Sequence, residues 1–141
     1  MREDYEDSAA RHWDDAELLC KQGRVDNADQ LYGIAAECAI KKALRHPPTH
    51  PDAGELARAY RVHVDELWDK VPDNAISRNY PSLPHLLTIA NPFRDWCIGQ
   101  RYQASGSIQT DALHRHRKIA RRLLAAVRIQ PREESQHDHV R

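Results

Sequence analysis

The segment LYGIAAECAIKKAL, residues 31–44, is the least polar long stretch of the chain and decides the predicted fold. Its apolar residues recur at the spacing of one helix face, beginning just before the segment: Ala28, Leu31, Ala35, Cys38 and Ala39. Most of them are small, so a neighbouring helix can approach closely. Glu37 precedes Lys41 by one turn, which favours the helix by about 0.2–0.5 kcal/mol. We predict a helix that begins at Asp26 or Asn27, either of which can cap it, and ends near residue 45.

Working outward from this helix, the same periodicity predicts helices on both sides of it. A first helix is expected over residues 8–22, with Ser8 as N-cap and Gly23 as its stop. Later helices are expected over 54–70, 84–90 and 91–102, and from Thr110 onward. The inward stripe of the last helix is Leu113, His116, Ala120, Leu123, Leu124 and Val127. The prolines of residues 46–54 and 71–84 predict irregular connections. The expected fold is all-α: an antiparallel bundle of four long helices plus one or two short helices.

Length and composition agree with one helical domain. The chain has 141 residues, of which 30% are charged, 6% are aromatic and only five are glycine, a mixture that suits helices better than sheets. We expect a single domain over residues 1–130 and a polar, disordered tail over 131–141.

Charge is distributed unevenly along the chain, although the formal net charge is zero. The first fifteen residues are rich in aspartate and glutamate, whereas residues 115–132 are rich in arginine. Two interpretations stay open: the two ends attract each other within the fold, or the basic end binds an anionic ligand.

Three cysteines, Cys20, Cys38 and Cys97, are odd in number, lie far apart in sequence and form no C-x-x-C motif. We expect buried thiols in a reducing cytosol. No apolar run approaches the roughly 20 residues that a bilayer requires, and no signal peptide is visible. The expected location is cytoplasmic, with no membrane partner.

The order of several features resembles the HEPN domain family. They are an alanine and aromatic pattern in AARHWDDAELL (9–19), the segment ADQLYGIAAECAIKKAL (28–44), an H-x-x-x-L pattern from His63 to Leu67, and the pair Arg101-Tyr102 before the closing helix. The resemblance implies a HEPN-like helical bundle, often a homodimer. It also implies a role in toxin–antitoxin pairs, phage defence, RNA cleavage or nucleotide handling, with a nucleotidyltransferase-like antitoxin as a possible cognate partner.

Active members of that family cleave RNA without a metal, through an arginine and a histidine with four to six residues between them. Here Arg58 and His63, in RAYRVH, have that spacing. The resemblance implies that His63 is a general acid or base and that Arg58 stabilises the charged transition state. Five residues correspond to about 140° around a helix, so the two would need help from a partner chain to reach one phosphate. The alternative for His63 is a histidine of the core or of a helix contact.

Candidate binding residues are mostly cations of the last helix: Arg115, Arg117, Lys118, Arg121 and Arg122. They would contact phosphates of a nucleic acid or nucleotide, or else form a solvated face matched to the acidic N-terminus. Arg101 and Tyr102 either bind nucleotide phosphate or serve structure, with the arginine tying helices together and the ring packing. His116 is expected in the core or at an interface.

Other chemistries find little support. His46 and His50 lack an obvious third ligand, so we predict no metal and no cofactor. The chain has neither a glycine-rich phosphate loop nor a nucleophile elbow. The sequence therefore favours a module that binds RNA or nucleotide, or that scaffolds a complex. The alternative is a metal-independent endoribonuclease that uses the R-x4-H pair.

Overall fold

The computed structural model describes residues 2–76 and 79–130, and within these ranges the secondary structure is helical, without strands. The α-helices are α1 (Tyr5–Lys21), α2 (Val25–Leu44), α3 (Val64–Lys70), α4 (Ser82–Leu86) and α5 (Thr110–Ala126). Three 3₁₀ turns cover Arg58–Tyr60, Asp73–Ala75 and Ile98–Tyr102. The all-α prediction is confirmed. The predicted tail, 131–141, lies outside the described residues.

Helices α1 and α2 form an antiparallel hairpin. Near one end Lys42 Nζ lies 2.6 Å from Glu6 Oε1, and toward the other end the Tyr32 hydroxyl donates to Glu17 at 2.6 Å. Helix α1 begins three residues before the predicted start, because the carboxylate of Asp4 accepts the backbone N–H of Asp7 and caps the helix there. The predicted stop is confirmed: Gly23 follows α1 with φ of +74°, a conformation that favours glycine.

Helix α5 packs on this hairpin and runs in the same direction as α2. His116, near its start, contacts Asp29, and the carbonyl of Val127, just past its end, accepts from Lys42 Nζ at 2.8 Å. The long segment between α2 and α5 returns the chain to the end of the bundle where α2 begins, and α5 starts there. The expected bundle is therefore antiparallel for α1 with α2, but parallel for α2 with α5.

The predicted long helix over 54–70 is wrong for its first half, since α3 contains only Val64–Lys70. Residues 46–55 instead close into a loop, in which His46 N donates to Glu55 O and Gly54 N donates to His46 O, both at 2.9 Å. His63 consequently lies immediately before α3, not inside the predicted helix.

The next two predicted helices are also shorter than expected. The helix expected over 84–90 is α4, which ends at Leu86, and that over 91–102 is reduced to turns and the 3₁₀ segment Ile98–Tyr102. At the start of this segment, Asn91 Oδ1 accepts the backbone N–H of Phe93 at 2.9 Å.

The core lies between α1, α2, α5 and the segment around Phe93 and Trp96. The predicted inward stripe of α5 is confirmed, since each of its members is buried. Trp96 packs against α2 at Gly33, where an added Cβ would come within 2.0 Å of the indole. The indole Nε1 donates to the carbonyl of Asp29 at 3.1 Å. Gly33 is thus the position in LYGIAAECAIKKAL that admits the tryptophan.

Two expectations drawn from composition have different outcomes. The three cysteines are free thiols, but only Cys38 is buried and Cys97 is exposed, so the expectation of buried thiols is wrong for Cys97. Burial, with Glu37 nearby, raises the pKa of the Cys38 thiol to about 11. None of the helices described is long and apolar enough to cross a membrane.

Candidate functional site

A buried carboxylate on α2 holds the candidate catalytic histidine. Glu37 Oε1 lies 3.0 Å from His63 Nδ1 and accepts the backbone N–H of Val64 at 3.0 Å. Its second oxygen accepts from Lys41 Nζ, also at 3.0 Å. Glu37 therefore caps the N-terminus of α3 and orients the imidazole in front of it, while Lys41 balances its charge.

The Glu37–His63 dyad leaves one ring nitrogen available. Because a charged carboxylate only accepts, His63 donates from Nδ1, and Nε2 takes no part in the contact with Glu37. The His63 side chain is 49% exposed, and Nε2 makes no hydrogen bond with the residues that the structure describes. An imidazole oriented by a carboxylate on a partly exposed side chain is the arrangement that a general acid or base requires.

Of this dyad, His63 is predicted as a site residue from the sequence, whereas the contact between Glu37 and His63 is seen only in the structure. The two residues are 26 positions apart, in different helices. The available signal was Glu37 itself, a charged residue within an apolar helix, which needs a partner when it is buried.

Arg58 does not share a helix with His63. It opens the 3₁₀ turn Arg58–Tyr60 and is exposed. Within residues 2–76 and 79–130 it forms no hydrogen bond or ion pair. The predicted angle of about 140° on a common helix does not apply.

The predicted binding residues of α5 form two groups: cations that pair with a carboxylate, and cations without an ion-pair partner among the described residues. Arg115 Nη1 donates to both carboxylate oxygens of Asp95, at 2.9 and 2.8 Å. Arg117 binds Glu17 through two parallel hydrogen bonds of 2.6 and 3.0 Å. These hydrogen bonds, with that from Tyr32, outweigh the effect of burial and lower the pKa of Glu17. Both arginines are thus paired within the fold, but their partners, Asp95 and Glu17, lie outside the acidic first fifteen residues, so these contacts are not the expected match to the acidic N-terminal segment.

The remaining three cations, Lys118, Arg121 and Arg122, are exposed. Their spacing of three and four residues places them on one face of α5. None of them forms an ion pair with a described residue; Arg121 acts on Glu17 only over a longer distance. We call these three residues the α5 basic face. Such a face can contact successive phosphates of a nucleic acid strand.

Arg101 and Tyr102 lie at the end of a 3₁₀ turn and are both exposed, Tyr102 by 80%. The guanidinium of Arg101 lies 5.0 Å from the centre of the Tyr102 ring. The structural interpretation, in which the arginine ties helices together and the ring packs, is wrong. The pair stays available to a ligand, but no contact among the described residues joins it to the α5 basic face.

His116 occupies a buried polar site between α2 and α5. Its Nδ1 lies 2.6 Å from Asp29 Oδ1, and its Nε2 lies 2.8 Å from Asp95 Oδ1. Burial opposes the charged ring, but the hydrogen bonds to Asp29 and Asp95 outweigh it and raise the pKa of His116. Gln100 supplies a further bond to Asp29 at 2.7 Å. With both ring nitrogens engaged, His116 serves the fold and is no free acid or base.

A cleft of about 350 Å³ lies between the N-terminal segment and the loop after α2. Three arginines line it: Arg2, Arg45 and Arg61. The guanidinium of Arg45 stacks 4.6 Å above the Tyr5 ring, and Glu55 lies 3.9 and 3.8 Å from Arg2 and Arg61. No local sequence pattern predicts this cleft, because its arginines come from distant segments. Glu55 offsets part of their charge.

Comparison of the chain with protein-family models, with curated proteins and with solved structures gave no match. Support for a function therefore comes from the side chains described above and from the resemblance carried by the sequence motifs.

Proposed function

We propose that this chain is a HEPN-like helical module that binds RNA or a nucleotide through the α5 basic face. The observation that carries the proposal is the exposure of Lys118, Arg121 and Arg122 without an ion-pair partner among the described residues. The motif resemblance supplies the ligand class and the setting: a bacterial toxin–antitoxin or phage-defence system in the cytoplasm, in which the module acts as a homodimer.

Local charge, not total charge, supports this binding. The formal net charge of the chain is zero, so long-range attraction to a polyanion is weak. Arg115 and Arg117 are already committed to Asp95 and Glu17. Phosphate contacts then come from the α5 basic face, and each one releases counterions from the nucleic acid.

Titration of a fluorescent single-stranded RNA, read by anisotropy at low salt, tests the proposal. The triple variant K118Q/R121Q/R122Q is expected to bind at least about tenfold more weakly than the wild type. A matched control, R11Q/R24Q/K70Q, removes three exposed cations elsewhere and changes the net charge equally. It should stay within about twofold of the wild type.

Equal losses in both triple variants would show that only net charge matters and would contradict a specific site on α5. Absence of binding by the wild type, to RNA and to nucleotides alike, would leave the scaffold role as the better account.

A second candidate, a metal-independent endoribonuclease, is favoured by the Glu37–His63 dyad. Nε2 of His63 would accept the proton of a 2′-hydroxyl or protonate the leaving oxygen, and Arg58 would stabilise the transition state. Incubation with RNA in the presence of a chelator should then give cleavage that falls about 10²–10⁴-fold in H63A. The variant R58A should also lose activity, whereas H85A, which removes another exposed histidine, should keep it. Cleavage that persists in H63A would exclude this dyad as the catalyst.

A further inference from the structure

The loop after α2, HPPTHPDAGE (46–55), has a defined shape before any ligand binds. Its base is closed by the two hydrogen bonds between His46 and the pair Gly54 and Glu55. Inside it, His50 N donates to Pro47 O at 2.9 Å and Ala53 N donates to His50 O at 3.1 Å. Three prolines fix their own φ angles and reduce the freedom of the unfolded loop. Ligands carried by this loop are therefore brought together at a small entropic cost.

Three side chains of the loop offer ligand atoms close to one another: His46, His50 and Asp52. One nitrogen from each imidazole and one carboxylate oxygen all lie within 4.8 Å of each other. The two imidazoles stack with centroids 3.9 Å apart and planes only 6° from parallel. The sequence showed two histidines without a third ligand; the turn of the loop brings Asp52 beside them.

This ligand set selects a class of ion. Two imidazoles and one carboxylate suit Zn²⁺ and neighbouring divalent transition metals, whereas Ca²⁺ and Mg²⁺ prefer oxygen ligands alone. Three protein ligands leave at least one coordination position for water.

Coordination of a metal ion by these side chains requires two rearrangements of the loop. Ring lone pairs lie in the ring plane, so the parallel imidazoles must tilt toward a common ion about 2 Å from each nitrogen. His50 Nδ1 also accepts the backbone N–H of Asp52 at 2.9 Å. That bond is lost whichever ring nitrogen coordinates, since coordination through Nε2 requires the proton on Nδ1. Losing this hydrogen bond costs about 1 kcal/mol, which is small beside the free energy of metal coordination.

We propose that His46, His50 and Asp52 bind one divalent transition-metal ion, with Zn²⁺ as the probe, at a site separate from the α5 basic face and the Glu37–His63 dyad. The inference does not depend on the proposed function.

Zn²⁺ titration of the full chain without an affinity tag, in competition with a chromophoric chelator, tests the site. We expect one ion per chain, and at least about tenfold weaker binding in H50A and in H46A/H50A. D52N should also bind more weakly. The control H85A/H114A removes two exposed histidines elsewhere and should bind as the wild type does. Excess Mg²⁺ should not displace the ion.

A second control addresses His137 and His139, which lie outside the described residues. Binding that survives H46A/H50A but is lost in H137A/H139A would overturn the proposal, and so would a wild type without saturable Zn²⁺ binding below about 100 μM. Far-UV circular dichroism of each variant separates lost binding from lost folding, and H50A changes only one residue of an exposed loop.

Discussion

At the scale of single residues, Gly33 determines how Trp96 packs against α2. Alanine is the better helix former by about 1 kcal/mol, yet a Cβ at this position would lie 2.0 Å from the indole. We expect G33A to lower the free energy of unfolding by about 1–3 kcal/mol in denaturant titrations. G99A is the matched control, because its Cβ would meet only the Cys97 sulfur at 3.9 Å and should change stability little. A G33A protein as stable as the wild type would contradict this packing.

The buried His116 gives a pH dependence whose sign follows from its raised pKa. Asp29, on α2, contacts one ring nitrogen, and Asp95, in the segment before the 3₁₀ turn Ile98–Tyr102, contacts the other. Arg115 donates a hydrogen bond to Asp95. The pKa is higher in the folded state than the usual value near 6.5. His116 therefore stabilises the fold fully below about pH 6.5, and this contribution is lost as pH rises through the folded-state pKa.

The measurement compares the free energy of unfolding of the wild type and of H116Q at about pH 6 and about pH 9. The advantage of the wild type should be smaller at the higher pH. His12, whose pKa is lowered by burial and by Arg11, gives the opposite trend in both proteins, so it cancels in the difference. A difference independent of pH would show that folding leaves the pKa of His116 unchanged, and it would contradict the stabilisation of the charged ring by Asp29 and Asp95.

At the scale of elements, α3 depends on a residue of another helix. Glu37 caps its first N–H and pairs with the buried Lys41. We expect E37A to lower the free energy of unfolding by about 3 kcal/mol, because it leaves Lys41 buried without a partner and removes the cap. E66A breaks only the exposed pair with Lys70 and should cost less than about 0.5 kcal/mol. Similar losses in the two variants, measured by chemical denaturation, would contradict the role of Glu37.

The same elements show how far sequence patterns reach. Periodicity located α2 and α5 within a few residues, because both helices bury a continuous local stripe. It failed over 54–70, where hydrogen bonds close the 46–55 loop and a carboxylate 27 positions away sets the start of α3. The Asp29–His116 contact joins residues 87 positions apart. Local spacing contains no information about such distant partners. The sequence therefore predicts that His116 faces the core, but it does not predict the contact with Asp29.

At the scale of the whole molecule, charge pairing separates cations that serve the fold from cations that face solvent. Arg115 and Arg117 were predicted as binding residues, but each is held by a carboxylate across the bundle. The sequence predicts Lys118, Arg121 and Arg122 as binding residues in the same way. Only the structure separates these three exposed cations from the paired Arg115 and Arg117. A nearly neutral protein can thus present a localised basic face.

The salt dependence of RNA binding tests this central claim most directly. For single strands, each phosphate contact contributes about 0.7 to the slope of log K against log salt. The account predicts that the slope of K118Q/R121Q/R122Q is shallower than that of the wild type by about 2, whereas R11Q/R24Q/K70Q keeps the wild-type slope. An unchanged slope in K118Q/R121Q/R122Q would contradict phosphate binding by the α5 basic face.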